Sequence, residues 1–175
     1  MKIKDIIKTA DFFTIGNIIF GLLSVFYAIN NQFEYAAIFI LIAMLFDFLD
    51  GKVARVSKKI TPAGRHFGKE LDSLADIISF GVAPAVLGFT LGLQQWYSII
   101  VLLFFVIAGV LRLSRFNVLE IPGYFVGVPI TINGILFAGL YFLSLYYQYD
   151  IKYNLVVYLF MSFAMLSARK VKKLI

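Results

Sequence analysis

The sequence predicts an all-α integral membrane protein with six transmembrane helices, preceded by a short amphipathic helix at the membrane interface. Two observations lead to this prediction: an apolar composition and long stretches without charge. Hydrophobic residues make up 61% of the 175 residues and charged residues only 15%, whereas about 25% of an average soluble domain is charged. A small globule has too much surface to hide so much apolar material, but lipid can solvate it. We therefore expect one membrane domain over 1–175, with a six-helix bundle at 14–170.

The uncharged stretches divide the chain into candidate spans. A spanning helix needs about 20 residues, so the stretch at 77–111 is long enough for two, and the turn residues at 92–95 divide it. The stretch at 35–46 is too short, and it becomes a span only if the helix continues through Asp47 and Asp50. The predicted spans lie near 14–30, 35–55, 73–92, 96–114, 126–147 and 153–170.

Basic residues orient the predicted spans. If the amino terminus is inside, 15 of the 16 Lys and Arg residues fall on inner segments and only Lys152 lies outside, as the positive-inside rule requires. The formal charge of +6 is thus explained by topology and does not require a nucleic-acid partner. We expect a multi-pass protein of a prokaryotic cell membrane, with both termini in the cytoplasm.

The first twelve residues have the pattern of an interfacial helix. Ile3, Ile6, Ile7 and Ala10 follow helical spacing, while lysines occupy the other faces. The pattern predicts an amphipathic helix at 1–12, with a solvated tail as the alternative. We expect no cleaved signal peptide, because no small-residue cleavage site follows the first span.

Four carboxylates interrupt the apolar pattern where two predicted spans meet the same inner loop. Asp47 and Asp50 are three residues apart and Asp72 and Asp76 are four apart, so each pair shares a helix face. Acids within spans are functional candidates, and four neighbouring negative charges repel unless divalent cations lie among them. Because the chain has no cysteine, oxygen ligands favour Mg²⁺, Mn²⁺ or Ca²⁺. The alternative is a set of interfacial acids paired with Lys52, Arg55, Lys58 and Lys69.

Small residues and an arginine flank these acids. Gly51, Ala54 and Gly68 leave the backbone open to a bulky ligand. Arg55 supplies a planar fork of donors that suits phosphate. Metal ligands beside small residues and an arginine are typical of a phosphate or pyrophosphate site.

These residues form a motif that resembles a known family. The segment DFLDGKVAR at 47–55 and the segment GKELDSLAD at 68–76 are similar to the CDP-alcohol phosphotransferase signature, D-x2-D-G-x2-A-R followed by G-x3-D-x3-D. The spacer at 56–67 is longer than is usual in that family, so only the signature positions are carried over. The segments TIGN at 14–17, DSLADIISFGVAPA at 72–85, RLSRFN at 112–117 and GVP at 127–129 resemble its phosphatidylserine synthase branch.

The resemblance implies a reaction and a role for each residue. The hydroxyl of L-serine would attack the lipid-linked phosphorus of a CDP-activated lipid, with a diacylglycerol or an archaeal ether backbone, and CMP would leave. Two divalent ions, Mg²⁺ or Mn²⁺ with Ca²⁺ as another occupant, would bind Asp47, Asp50, Asp72 and Asp76, and Asp76 would also be the general base. Arg112 and Arg115 would hold the serine carboxylate, and the enzyme would be a homodimer. The residues expected to bind the CDP-lipid are Asn17, Asp50, Gly51, Ala54, Arg55, Gly68 and Asp72.

Other interpretations stay open at the level of the sequence. The acceptor could instead be glycerol 3-phosphate or inositol phosphate, in which case Arg112 and Arg115 would bind a phosphate. The two arginines could also extend to lipid headgroups, and Asn17 could be a contact between helices. A small cation transporter is a further alternative, although the acids cluster at one membrane face and no chain of ionisable residues crosses the remaining thickness.

Overall fold

The computed structural model describes residues 7–56, 61–119, 124–168 and 170–172, with side chains at 7–54, 61–119 and 127–168. These residues form seven α-helices, one π-helical segment, one 3₁₀ turn and a two-stranded ribbon. The helices are α1 (Thr9–Ile29), α2 (Phe33–Val56), α3 (Pro62–Asp76), α4 (Ala83–Thr90), α5 (Trp96–Leu119), α6 (Ile132–Tyr147) and α7 (Asn154–Leu166). The π-helical segment Ile77–Val82 joins α3 to α4, the 3₁₀ turn is Ile151–Tyr153, and the strands are β1 (Tyr124–Val126) and β2 (Lys170–Lys172).

Three helical stretches have the length and the apolar composition of membrane-spanning helices. Among the described residues, three continuous helical stretches are long and apolar enough to cross a bilayer: Thr9–Ile29, Pro62–Thr90 and Trp96–Leu119. Helices α6 and α7 are apolar but shorter, and α2 has 24 residues with the acids near its end. Large hydrophobic side chains are exposed along these helices. The chain is therefore a helical membrane protein, as the composition predicts.

Aromatic side chains fill the contacts between the helices. Phe20 on α1 packs against Phe39 and Phe46 of α2, with ring centroids 5.9 and 5.1 Å apart. Phe137 on α6 stacks on Tyr158 of α7 at 3.9 Å, and the Tyr158 hydroxyl donates to the carbonyl of Pro84 at 2.6 Å. Buried tyrosines normally find such a partner. These contacts join α1 to α2 and join α4, α6 and α7 to one another, and the two groups form one bundle because α1 packs on α4 and α2 packs on α6.

The two ends of the bundle differ in chemistry. The loops at 30–32, 91–95 and 148–153 form one end, where Gly92 lies against Ile151. We call it the aromatic end, because it exposes Tyr35, Trp96, Tyr97, Tyr146, Tyr147 and Tyr153. The opposite end, which we call the acidic end, holds the carboxyl ends of α2 and α5 and the start of α3.

The first helices are longer at the acidic end than the sequence predicts. Helix α1 begins at Thr9 instead of 14, because the Asp11 side chain accepts the backbone N–H of Lys8 at 2.8 Å and starts the helix there. The prediction of an interfacial helix at 1–12 is therefore wrong at 9–12, because these residues form the first turn of α1. Residues 1–6 lie outside the described chain. Helix α3 begins before the predicted 73, because Thr61 caps it through the N–H of Gly64 at 3.1 Å.

The last two helices are shorter than predicted. Helix α6 begins at Ile132 instead of 126, because Gly127 has a φ of +74° and Pro129 cannot donate to a helix. Helix α7 ends at Leu166 instead of 170. The residues outside these helices pair as an antiparallel ribbon, with Phe125 opposite Val171.

Helix α1 contacts the π-helical segment directly, through glycine. The Ser79 hydroxyl donates to the carbonyl of Asn17 at 3.0 Å. A Cβ atom on Gly21 would overlap the Ser79 Oγ and lie 3.0 Å from its Cα. Because the Cα cannot move without the helix, α1 and the π-helical segment approach this closely only with glycine at this position.

We expect Gly21→Ala to destabilise the protein by about 1–3 kcal/mol, the usual effect of overpacking. Gly139→Ala on α6 is the matched control, because a Cβ atom there meets no atom within 4 Å and alanine favours a helix. Thermal unfolding in detergent micelles measures both variants. Equal melting temperatures for the two would contradict the close packing of α1.

Candidate active site

Three carboxylates meet where α2 approaches α3. Asp47 and Asp50 project from one face of α2, and Asp72 projects from α3. One carboxylate oxygen from each lies within 4.8 Å of the others. This spacing allows one cation to contact all three side chains, since Mg²⁺ and Ca²⁺ bind oxygen at about 2.0–2.6 Å.

Asp76 extends the cluster at its buried side. The residue ends α3 and is 6% exposed, and its carboxyl group faces that of Asp47 at hydrogen-bonding distance. Within the described chain its Oδ1 has no hydrogen-bond partner. Two buried carboxyl groups this close require a proton or a cation between them.

One buried cation among the described residues interacts with the acids. Arg112 on α5 is 4% exposed and interacts electrostatically with Asp76 and Asp72. One guanidinium does not balance four carboxylates, and the deficit is costly where water is largely excluded. The donor set is composed of oxygen atoms, so it fits a hard divalent cation.

Helix α1 orients one of these acids. The Thr14 hydroxyl donates to Asp50 Oδ2 at 2.7 Å, and both residues are buried. Hydrogen bonds of this kind fix the direction of a metal-binding carboxylate. Thr14 lies in a segment that resembles the family, but the sequence predicts no role for it, because nothing in the sequence pairs α1 with the end of α2.

A polar cavity of about 530 Å³ opens beside the acids at the acidic end. Gly51 and Gly68 border it, and no atom of the described residues lies within 4 Å of a Cβ built on Gly51. A Cβ on Gly68 would lie 3.0 Å from Asp11 Oδ1 and 3.5 Å from Lys8 Nζ. The lining residues are Lys8, Ala10, Asp11, Thr14, Asp50, Gly51, Ala54, Arg65, Gly68, Lys69 and Asp72.

The cavity brings together most of the residues expected to bind the CDP-lipid, with two exceptions. Asn17 is fully buried one turn beyond Thr14, does not line the described part of the cavity, and its carboxamide atoms have no hydrogen-bond partner among described residues. Arg55 lies in the last turn of α2, but its side chain is outside the described part of the structure. Lys8 and Asp11 also line the cavity, although the sequence predicted no role for them at the site.

An apolar cleft of about 380 Å³ lies between α2 and α6. Leu45 and Phe48 on α2 and Ile132 on α6 line it and are exposed on the outer surface of the bundle. Asp47 also lines this cleft, whereas Asp50 and Asp72 line the polar cavity. The acid cluster is therefore reached from both a polar and an apolar compartment.

The two arginines expected to bind the acceptor have different partners. Arg112 interacts with Asp72 and Asp76, and its guanidinium lies 5.2 Å from the ring centroid of Phe116. Arg115 instead donates hydrogen bonds to backbone carbonyls at the end of α7. Their spacing of three residues puts both at the same end of α5, but their side chains diverge.

Several proteins of known function are similar to this chain. It is 41% identical to archaetidylserine synthase of Methanothermobacter thermautotrophicus over 147 residues, which cover 83% of this chain and 62% of that protein. It is 38% identical to a CDP-diacylglycerol–serine O-phosphatidyltransferase of Methanocaldococcus jannaschii, with 79% and 62% covered. It is also 38% identical to the enzyme of that name from Bacillus subtilis, with 78% and 74% covered. The chain thus spans less than two thirds of the two archaeal relatives.

The family comparison covers nearly the whole chain. The model of the CDP-alcohol phosphatidyltransferase family matches residues 7–169. This range includes the four acids, the polar cavity and all seven α-helices. The chain therefore belongs to the CDP-alcohol phosphatidyltransferase family.

Proposed function

We propose that this protein transfers a phosphatidyl or archaetidyl group from a CDP-activated lipid to the hydroxyl of L-serine and releases CMP. The observation that carries the proposal is the acid cluster between a polar and an apolar compartment. A lipid nucleotide has both characters and must place its diphosphate where they meet. The relatives named for serine transfer support the choice of acceptor.

The polar cavity suits the CDP group. Lys8, Arg65 and Lys69 contribute positive charge to its lining. Gly51 leaves room for the nucleotide beside the acids, and Gly68, which also borders the cavity, is proposed to contact it. Arg55, at the end of α2, is proposed as a further phosphate ligand. Asn17 keeps a proposed role near the nucleotide, supported by its position one turn from Thr14.

The apolar cleft suits the lipid chains. Its lining from Met44 and Leu45 of α2 and from Ile132 and Ile135 of α6 is aliphatic and accessible from the side of the bundle. A lipid in this cleft would direct its headgroup toward Asp47. The diphosphate would then lie over the acids, with the nucleotide in the cavity on the other side of α2.

The acids have two proposed tasks. Asp47, Asp50, Asp72 and Asp76 would hold two divalent ions, Mg²⁺ or Mn²⁺, with Ca²⁺ as another occupant. Bound ions would neutralise the diphosphate and stabilise charge on the departing CMP. Asp76 would accept the proton of the serine hydroxyl as its oxygen bonds to the lipid-side phosphorus and the bond from that phosphorus to the CMP oxygen breaks.

Arg112 is proposed to bind the acceptor. It is buried beside Asp76 and Asp72, so an amino acid whose hydroxyl reaches Asp76 could present its carboxylate to the guanidinium. Glycerol 3-phosphate or inositol phosphate could present a phosphate to the same group. The geometry favours an anionic alcohol, and the relatives favour serine among them.

We also propose six membrane spans with the acidic end in the cytoplasm. The exposed tyrosines and Trp96 of the aromatic end match a belt at a membrane interface, and the basic residues of the described chain, except Lys152, collect at the opposite end. This orientation puts both termini and the active site in the cytoplasm of a prokaryotic cell. An interfacial segment before α1 and a homodimer are further proposals that rest on the sequence and on family resemblance.

The acceptor can be tested by CMP release from purified protein with CDP-lipid and Mn²⁺. We expect serine to increase release well above the rate without acceptor, while glycerol 3-phosphate and inositol phosphate do not. If serine gave no more CMP than buffer while another alcohol did, the acceptor assignment would be wrong. Cation flux in vesicles without CMP release would instead support a transporter.

The base can be tested with Asp76→Asn. Loss of a general base lowers turnover by about 10²–10⁴-fold, so we expect kcat to fall in this range while the protein stays folded. Asp150→Asn is the control, because Asp150 is an exposed acid at the aromatic end. Residual turnover near that of the control would remove Asp76 as the base.

The metal site can be tested with Thr14→Val, which keeps the shape of the side chain but removes the hydrogen bond to Asp50. Loss of such a partner typically weakens metal binding about 10–100-fold. We expect a drop of about tenfold or more in Mn²⁺ affinity, measured by electron paramagnetic resonance. Ser24→Ala on the same helix is the control, since the Ser24 hydroxyl has no partner among the described residues. Equal Mn²⁺ affinity in both variants would argue against a metal at Asp50.

A further inference from the structure

The carboxyl end of α5 carries three polar side chains that interact with two other helices, α3 and α7. Arg112 faces Asp72 and Asp76. Arg115 contacts the end of α7, and Asn117 contacts α3. The three residues share one short segment, but only Arg112 is directed at the acids in the observed contacts.

Arg115 forms a cap on the end of another helix. Its guanidinium donates to the carbonyls of Met165, Leu166 and Ser167 at 3.1, 3.0 and 2.9 Å. The last carbonyls of a helix have no partner within that helix, and the planar fork of arginine can reach several acceptors at once. Arg115 therefore satisfies the end of α7 and fixes it against α5.

The segment that follows β1 packs against the contact between Arg115 and the end of α7. The backbone N–H of Val128 donates to the carbonyl of Ala164 at 3.1 Å. A Cβ atom on Gly127, whose φ is +74°, would overlap the Met165 carbonyl and lie 3.0 Å from Arg115 Nη2. The tight fit at Gly127 indicates that the guanidinium is held in place on this side.

Asn117 links α5 to α3, the helix that carries Asp72 and Asp76. The Asn117 Nδ2 donates to Ser73 Oγ at 3.0 Å, and the backbone carbonyl of Asn117 accepts from Lys69 Nζ at 2.9 Å. Ser73 directly follows Asp72. Helix α5 is thus joined to α7 and to α3, and Arg112 lies one turn before Arg115 on the same helix.

We propose that Arg115 is a positioning residue that acts through Arg112 and does not bind the acceptor itself. By fixing α5 to α7, it sets the place at which Arg112 meets the carboxylate of serine. Asn117 has the same role toward α3. This inference rests on the proposed function, since Arg112 can be positioned for an acceptor only if an acceptor binds there.

A double-mutant cycle with Arg112→Gln and Arg115→Lys tests the proposal on the full-length enzyme. Lysine keeps the positive charge but lacks the planar fork. We expect Arg115→Lys alone to lower kcat/KM for serine about tenfold, and to lower it less than twofold when Arg112→Gln is already present. The fall in melting temperature should be the same in both backgrounds, because the contact with α7 does not depend on Arg112.

An equal loss of kcat/KM in the two backgrounds would overturn the proposal. If Arg115 bound serine independently, or only stabilised the fold, the loss of kcat/KM would be the same in both backgrounds. If Arg115→Lys does not fold, Asn117→Ala enters the same cycle with the same expectation. Should the unmodified enzyme release CMP with another alcohol and not with serine, the proposed function fails, while the same cycle on that alcohol still decides the role of Arg115.

Discussion

Mutual repulsion among the four carboxylates is the constraint on which the rest of the structure depends. Asp50 and Asp76 are almost fully buried, and their neighbours Asp47 and Asp72 add charge at short range. Such a cluster is stable only with protons or cations among the acids. Thr14 and Arg112 reduce the repulsion from two sides, but they leave negative charge uncompensated. The protein keeps this unfavourable arrangement at the one place where a diphosphate and divalent cations would relieve it.

Helix α2 separates the two environments that the proposed substrate requires. Its face at Asp50 and Gly51 borders the polar cavity, and its face at Leu45 and Phe48 borders the apolar cleft. Asp47 and Asp50 lie on the same side of the helix and reach the same cluster, but Asp47 borders the apolar cleft and Asp50 borders the polar cavity. A bilayer-embedded enzyme can thus keep the lipid chains in hydrocarbon while the nucleotide stays in water.

Much of this arrangement follows from helical periodicity. The spacings of Asp47 with Asp50 and of Asp72 with Asp76 predict two acidic faces, and their shared loop predicts that these faces meet. The partners of Thr14 and Arg115 depend on contacts more than 35 residues away, which local spacing does not encode. The predicted span at 126–147 was also wrong at 126–131. The absence of charge in this segment predicts a span, but Gly127 and Pro129 interrupt the helix.

The shortness of α6 and α7 explains why polar contacts concentrate at their acidic ends. Helices of 16 and 13 residues extend about 24 and 20 Å, which is less than the roughly 30 Å of hydrocarbon. In the proposed six-span arrangement, Tyr146 and Tyr147 would place the aromatic end of α6 near an interface, so the missing length would fall at the acidic end. Backbone that leaves a helix at this depth must find internal partners. The ribbon between β1 and β2, the bond from Val128 to Ala164 and the cap from Arg115 supply them. Arg115 is one of these groups, and the hydrogen bonds that satisfy the end of α7 also fix α5 against it.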